Sequence, residues 1–134
     1  MEWVRSETLP DSRFLVVPLA DWFADYSSEW FPVLAGRQSI ATPQGLEWLP
    51  QRTFERRATE HTALKECANS TADCLTTWAN ITREVFTHIF IPKHAAADCC
   101  AVLVHSLATD SRYELVYDQA GATIFARRGS TPNS

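Results

Sequence analysis

Two cysteines seven positions apart, Cys67 and Cys74, flank a polar turn in the run ECANSTADC. On one unbroken helix seven residues span about 10 Å, which is beyond disulfide reach. If the helix breaks at Asn69 to Thr71, the second half folds back and the sulfurs can meet. The product is an αα-hairpin with a covalent staple. Closing a loop of about eight residues is worth about 2.5 kcal/mol in the chain-entropy model. Two buried free thiols are the other reading of the pair, suited to a reducing compartment.

The flanking patterns fit a pair of helices. Thr53 to Asn69 places Phe54, Ala58, His61, Leu64 and Ala68 on one face, at spacings of three and four. Glu55, Arg56, Thr59, Glu60 and Lys65 fall on the other. Ser70-Thr71-Ala72-Asp73 reads as a capped start. The second helix, Ala72 to Asn80, turns Leu75 and Trp78 inward.

Strands surround this hairpin. Trp3 to Glu7 is a short helical turn stopped by Pro10, and Arg13 to Leu19 is a Val- and Leu-rich strand suited to cover on both faces. Pro18 marks its edge or its end. Thr87 to Pro92, THIFIP, is the expected central strand, and Ala95 to Ala108 a third helix with Leu103, Val104 and Leu107 buried. Tyr113 to Tyr117 and Thr123 to Ala126 form a hairpin around Asp118 to Gly121, with Gly121 supplying a left-handed residue. Gly129 to Ser134 is a tail. The expected fold class is α/β, a small sandwich with a mixed β-sheet flanked by helices. Its order is β-β-αα-β-α-β-β, with a closing β-hairpin. Residues 1–134 suit one soluble domain.

The second early strand, Ser39 to Ala41, lies inside the aromatic stretch Glu29 to Pro50, ahead of the turn Pro43-Gln44-Gly45. Trp30 and Phe31 precede it and Trp48 follows; the polar segment Asp21 to Ser28 adds Trp22 and Tyr26. These rings either pin a loop to its own core or form a docking surface. The docking reading takes Trp22, Tyr26, Trp30, Phe31, Gln44, Glu47 and Trp48 as contact residues.

Several chemistries have little to stand on. The formal charge of −4 argues against a nucleic-acid surface. No run of about 20 apolar residues predicts a spanning helix, and no leader is visible at Met1-Glu2-Trp3. P-loop, GxGxxG and HExxH patterns are missing, so no cofactor is expected. Cys99, Cys100, His94 and His88 match no standard zinc spacing, and no metal is expected. A nucleophilic Cys99 or Cys100 with His94 or His105 and Asp98 can be assembled on paper, without a nucleophile-elbow motif. Adjacent helical cysteines point about 100° apart. Two packed thiols are therefore expected at Cys99-Cys100, with a vicinal disulfide as the alternative. Asp21, Asp25 and Glu29 read as solvated loop acids. Asn69-Ser70-Thr71 and Asn80-Ile81-Thr82 are glycosylation sequons that matter only in a eukaryotic secretory setting.

The opening MEWVRSETLPDSRFLVV, the middle GRQSIATPQGLEWLPQRTF, the ECANSTADCL pair and the close YELVYDQAGATIFARR together resemble one family. They are similar to the C-terminal extracytoplasmic domains of polytopic bacterial GT-C-type membrane glycosyltransferases, the dolichyl- or polyprenyl-phosphate-mannose mannosyltransferase-like proteins. The resemblance implies a non-catalytic module excised from a longer membrane protein, on the extracytoplasmic face. Its partners would be the transmembrane portion of the same protein and a glycan or lipid-linked sugar acceptor. The family's catalytic acid lies in the membrane portion, so no catalytic residue carries over. The alternatives are a free-standing small α/β enzyme using a Cys nucleophile, and an independent ligand-binding module.

Overall fold

A computed structural model describes residues 2–17, 36, 38–40, 51–93, 100–119 and 121–128. The helices are α1 (Glu2–Glu7), α2 (Gln51–Glu66), α3 (Ala72–Thr82) and α4 (Ala101–Ala108), with a 3-10 turn at Cys67–Asn69. The strands are β1 (Arg13–Val16), β2 (Gln38–Ile40), β3 (His88–Pro92), β4 (Tyr113–Gln119) and β5 (Ala122–Arg127). They form one five-stranded sheet in the order β2-β1-β3-β5-β4. Strand β1 pairs parallel to β2 and β3, while β5 pairs antiparallel to β3 and β4. This is the expected α/β class with a mixed sheet, flanking helices and a closing hairpin, and β3 is the central strand.

Both faces of β1 and β3 are covered, which explains why neither strand alternates polar and apolar residues. On one face Leu15, Val17, Ile89, Ile91 and Phe125 meet Leu64, Leu75, Trp78, Leu103 and Leu107 of α2, α3 and α4. On the other, Phe14, Val16, Phe90, Ala122 and Ile124 enclose Val4 of α1, with Trp3 and Tyr117 at the margin. The Trp3 and Tyr117 rings lie 5.1 Å apart.

The break between α2 and α3 follows the sequence reading. Ser70 and Thr71 are extended, and the chain reverses there. Cys67 and Cys74 are bonded, with Cα atoms 5.5 Å apart. The cap differs from expectation. Neither Ser70 nor Thr71 caps α3 with its side chain. The Ala72 N–H instead donates to Ser106 Oγ of α4 at 2.9 Å. An orphan donor at the helix start is thus satisfied from a distant element, which the local pattern could not reveal.

Three further details depart from the sequence reading. Strand β1 stops at Val16 rather than Leu19, where Val17 N–H turns to the Phe90 carbonyl. The hairpin strands run longer, pairing Gln119 with Ala122, so the loop is shorter than Asp118 to Gly121. Gly121 is not left-handed; among the described glycines only Gly36 has a positive φ, 67°. Space around Gly121 is open, and its carbonyl accepts from the Lys93 N–H at 3.1 Å.

Candidate functional site

The surface of the stapled hairpin carries a concavity. Ala63, Cys67, Ser70, Asp73, Cys74, Thr77, Trp78 and Ile81 line a shallow, mainly apolar groove of about 370 Å³ between α2 and α3. Two features hold its walls in place. The disulfide joins them at one end, and further along Trp78 Nε1–H donates to the Glu60 carbonyl at 2.8 Å. That bond lets Trp78 bury its ring without stranding the indole N–H.

Ile81 is 76% exposed and stands between this groove and a second, charged one. The charged groove, about 320 Å³, is lined by Arg56, Glu60, Ile81, Thr82, Arg83 and Glu84. Glu84 is held by Arg13 at 2.9 Å. Arg83 caps the C-terminus of α3 with φ 59° and ψ 30°. An apolar trough with a zwitterionic neighbour can hold an amphipathic ligand or segment.

At the other end of α3 an ionic cluster braces the hairpin. The Arg112 guanidinium donates to Asp110 Oδ2 at 2.6 Å, to Asp73 Oδ1 at 3.2 Å and to Thr76 Oγ1 at 3.2 Å. These hydrogen bonds hold the Asp110 carboxyl below its ordinary range and push the Arg112 guanidinium up. Lys93 and Thr123 likewise hold Asp118 low. Asp73 and Asp110 are thereby engaged in structural pairing.

Among the described residues, those proposed for catalysis and metal binding are not brought together. Cys100 is disulfide-bonded, correcting the expectation of packed thiols, so in this state its sulfur is neither nucleophile nor metal ligand. His88 stacks on Phe14, ring centroids 4.7 Å apart, on the α1 side of the sheet. Cys100 belongs to the core on the three-helix side, so the sheet separates them. His105 is exposed on α4. Among the described residues no group of three or more His, Cys, Asp or Glu side chains is arranged to hold a metal. His94, Asp98 and Cys99 lie outside the described residues, as do Asp21, Asp25 and Glu29. So do all seven docking candidates: Trp22, Tyr26, Trp30, Phe31, Gln44, Glu47 and Trp48.

The α2–α3 groove was not anticipated. Its signal was present, since Cys74, Trp78 and Ile81 fall at i, i+4 and i+7. That stripe runs past the expected helix end at Asn80, and the structure carries α3 on to Thr82. Compared with protein-family models, with curated proteins and with solved structures, the chain matches none.

Proposed function

We propose that the protein is an extracytoplasmic module that binds rather than catalyses, attached to a polytopic membrane glycosyltransferase-like protein. The observation that carries the compartment is the cysteine chemistry: Cys67, Cys74 and Cys100, all the described cysteines, are oxidised. Disulfides persist outside the reducing cytosol. The link to a glycosyltransferase rests on the sequence resemblance. In this reading the module packs against the transmembrane portion of its own protein and helps position a glycan or lipid-linked sugar acceptor. Trp22, Tyr26, Trp30, Phe31, Gln44, Glu47 and Trp48 supply the contacts, because indole faces stack well on sugar rings.

The test uses the gene in its own genome. Its reading frame upstream of the chain should encode a series of apolar segments of about 20 residues. An alkaline phosphatase fused after the chain should be active, and a fluorescent protein that folds only in the cytosol should stay dark. The reverse pair of signals overturns the compartment, and a frame without such segments overturns the membrane attachment. The apolar groove beside the staple favours a second reading, a free-standing ligand-binding module. Export without upstream apolar segments would select it.

A further inference from the structure

Two grooves meet at Ile81. The apolar one lies between α2 and α3, and the charged one lies at the C-terminal end of α3. We infer that together they bind a long-chain carboxylate, with its alkyl chain along the apolar groove and its head between Arg56 and Arg83. The inference names a ligand for these grooves alone and holds whether the module is attached to a membrane protein or free-standing. Its failure therefore leaves the reading proposed above untouched.

Charge decides what the head end accepts. Glu60 and Glu84 are the carboxylates of the charged groove, and Arg13 already holds Glu84 at 2.9 Å. Among the described residues neither Arg56 nor Arg83 is in an ion pair. Three guanidiniums thus face two carboxylates, an excess of one positive charge that a singly charged anion matches. A carboxylate also fits the planar fork of an arginine, through two parallel N–H···O bonds. Carbonyls at the end of a helix carry partial negative charge and would oppose an anion there. Two of them are occupied here. The Ala79 carbonyl accepts the Arg83 and Glu84 N–H groups, and the Trp78 carbonyl accepts the Thr82 hydroxyl at 2.9 Å.

The apolar groove sets the rest of the ligand. Ala63, the Cys67–Cys74 bridge, Trp78 and Ile81 supply its apolar lining. From Asp73 to Ile81 it runs about 12 Å along α3, the length of an extended chain of about ten carbons. Ile81, so exposed at the junction, gains by being covered. The far end has the opposite charge balance. There one guanidinium, Arg112, serves two carboxylates, Asp73 at 3.2 Å and Asp110 at 2.6 Å. A carboxylate head is disfavoured beside Asp73 and favoured beside Arg56 and Arg83, so the ligand enters in one orientation.

Calorimetry on the intact oxidised protein tests this with decanoate as the probe, kept well below its micelle-forming concentration. Decanoate should bind at one site. Decan-1-ol, with the same chain and no charge, should bind about tenfold more weakly, and decyltrimethylammonium should not bind. From hexanoate to decanoate the affinity should rise about twofold per methylene, the gain for a chain half out of water. It should then level off as longer chains overhang the groove. Arg56→Gln and Arg83→Gly should each weaken decanoate about fivefold. Glycine suits the φ of 59° at position 83, so lost binding in that variant does not come from unfolding. In amide NMR spectra the ligand-induced shifts should concentrate at Ala63, Thr77, Ile81 and Arg83. Four outcomes overturn the inference: no binding of decanoate, an alcohol that binds as tightly, unchanged affinity in either arginine variant, or shifts centred on other residues. Self-association that Ile81→Gln abolishes would assign the groove to a second copy of the chain and overturn it equally.

Discussion

Arg83 terminates α3 in a conformation that suits glycine better. A left-handed L-residue costs about 1–2 kcal/mol relative to its right-handed alternatives, and helices commonly end on glycine at this position. Arg83→Gly should therefore raise the unfolding free energy by about 1 kcal/mol, read as a higher denaturant midpoint. An unchanged or lower midpoint would mean that the guanidinium in the charged groove contributes more than the backbone loses. His88 makes the complementary case, an ionisable ring taken partly out of water. Burial holds its pKa below the ordinary value. The unfolded chain then takes up a proton as pH falls through about 6.5, before the native state does. Stability should drop across that window and level off once the native ring is protonated too. Denaturation curves at stepped pH should show this slope in the wild type and a smaller one in His88→Gln. Equal slopes would place the pH dependence elsewhere.

Elements in this fold are tied together by single contacts, one between neighbours in the chain and one between distant residues. The staple holds α2 against α3, and replacing both Cys67 and Cys74 with alanine should cost about 2.5 kcal/mol, the value expected for so short a loop. Chemical denaturation of the double variant beside the wild type measures this directly; a loss below half that value would indicate an unfolded state that is already compact. Ser106 holds α4 against α3, and Ser106→Ala should cost about 1 kcal/mol, the usual loss of a helix-start hydrogen bond. Exchange at the Ala72 amide should rise in that variant, and an unaltered rate would show that water replaces the hydroxyl. Of these two ties only the first was legible in the sequence. Its spacing and the polar turn carry the information locally, whereas Ser106 is 34 residues from the amide it serves. The shape of the groove was hidden for the same reason, because it requires α2 and α3 to be placed side by side.

For the whole molecule, the order of elements was readable because hydrophobic period and turn residues mark each element along the chain. The run of Arg13 to Leu19 lacks alternation, and that announced a strand covered on both faces. The lateral order β2-β1-β3-β5-β4 was not readable, since pairing between distant strands leaves no local trace. Among the described strands that order makes β4 an outer one, and its irregularity has a consequence for the protein in a crowded compartment. The register with β5 shifts between Leu115 and Tyr117, bending the strand at Val116, and Glu114 and Asp118 put carboxylates along it. Leu115 is half-exposed on this same strand. A straight, uncharged edge with such a side chain would invite a second chain to add its own strand and seed an aggregate. The kink and the acidic residues deny it a continuous ladder, so the margin of the sheet acts as a guard against polymerisation.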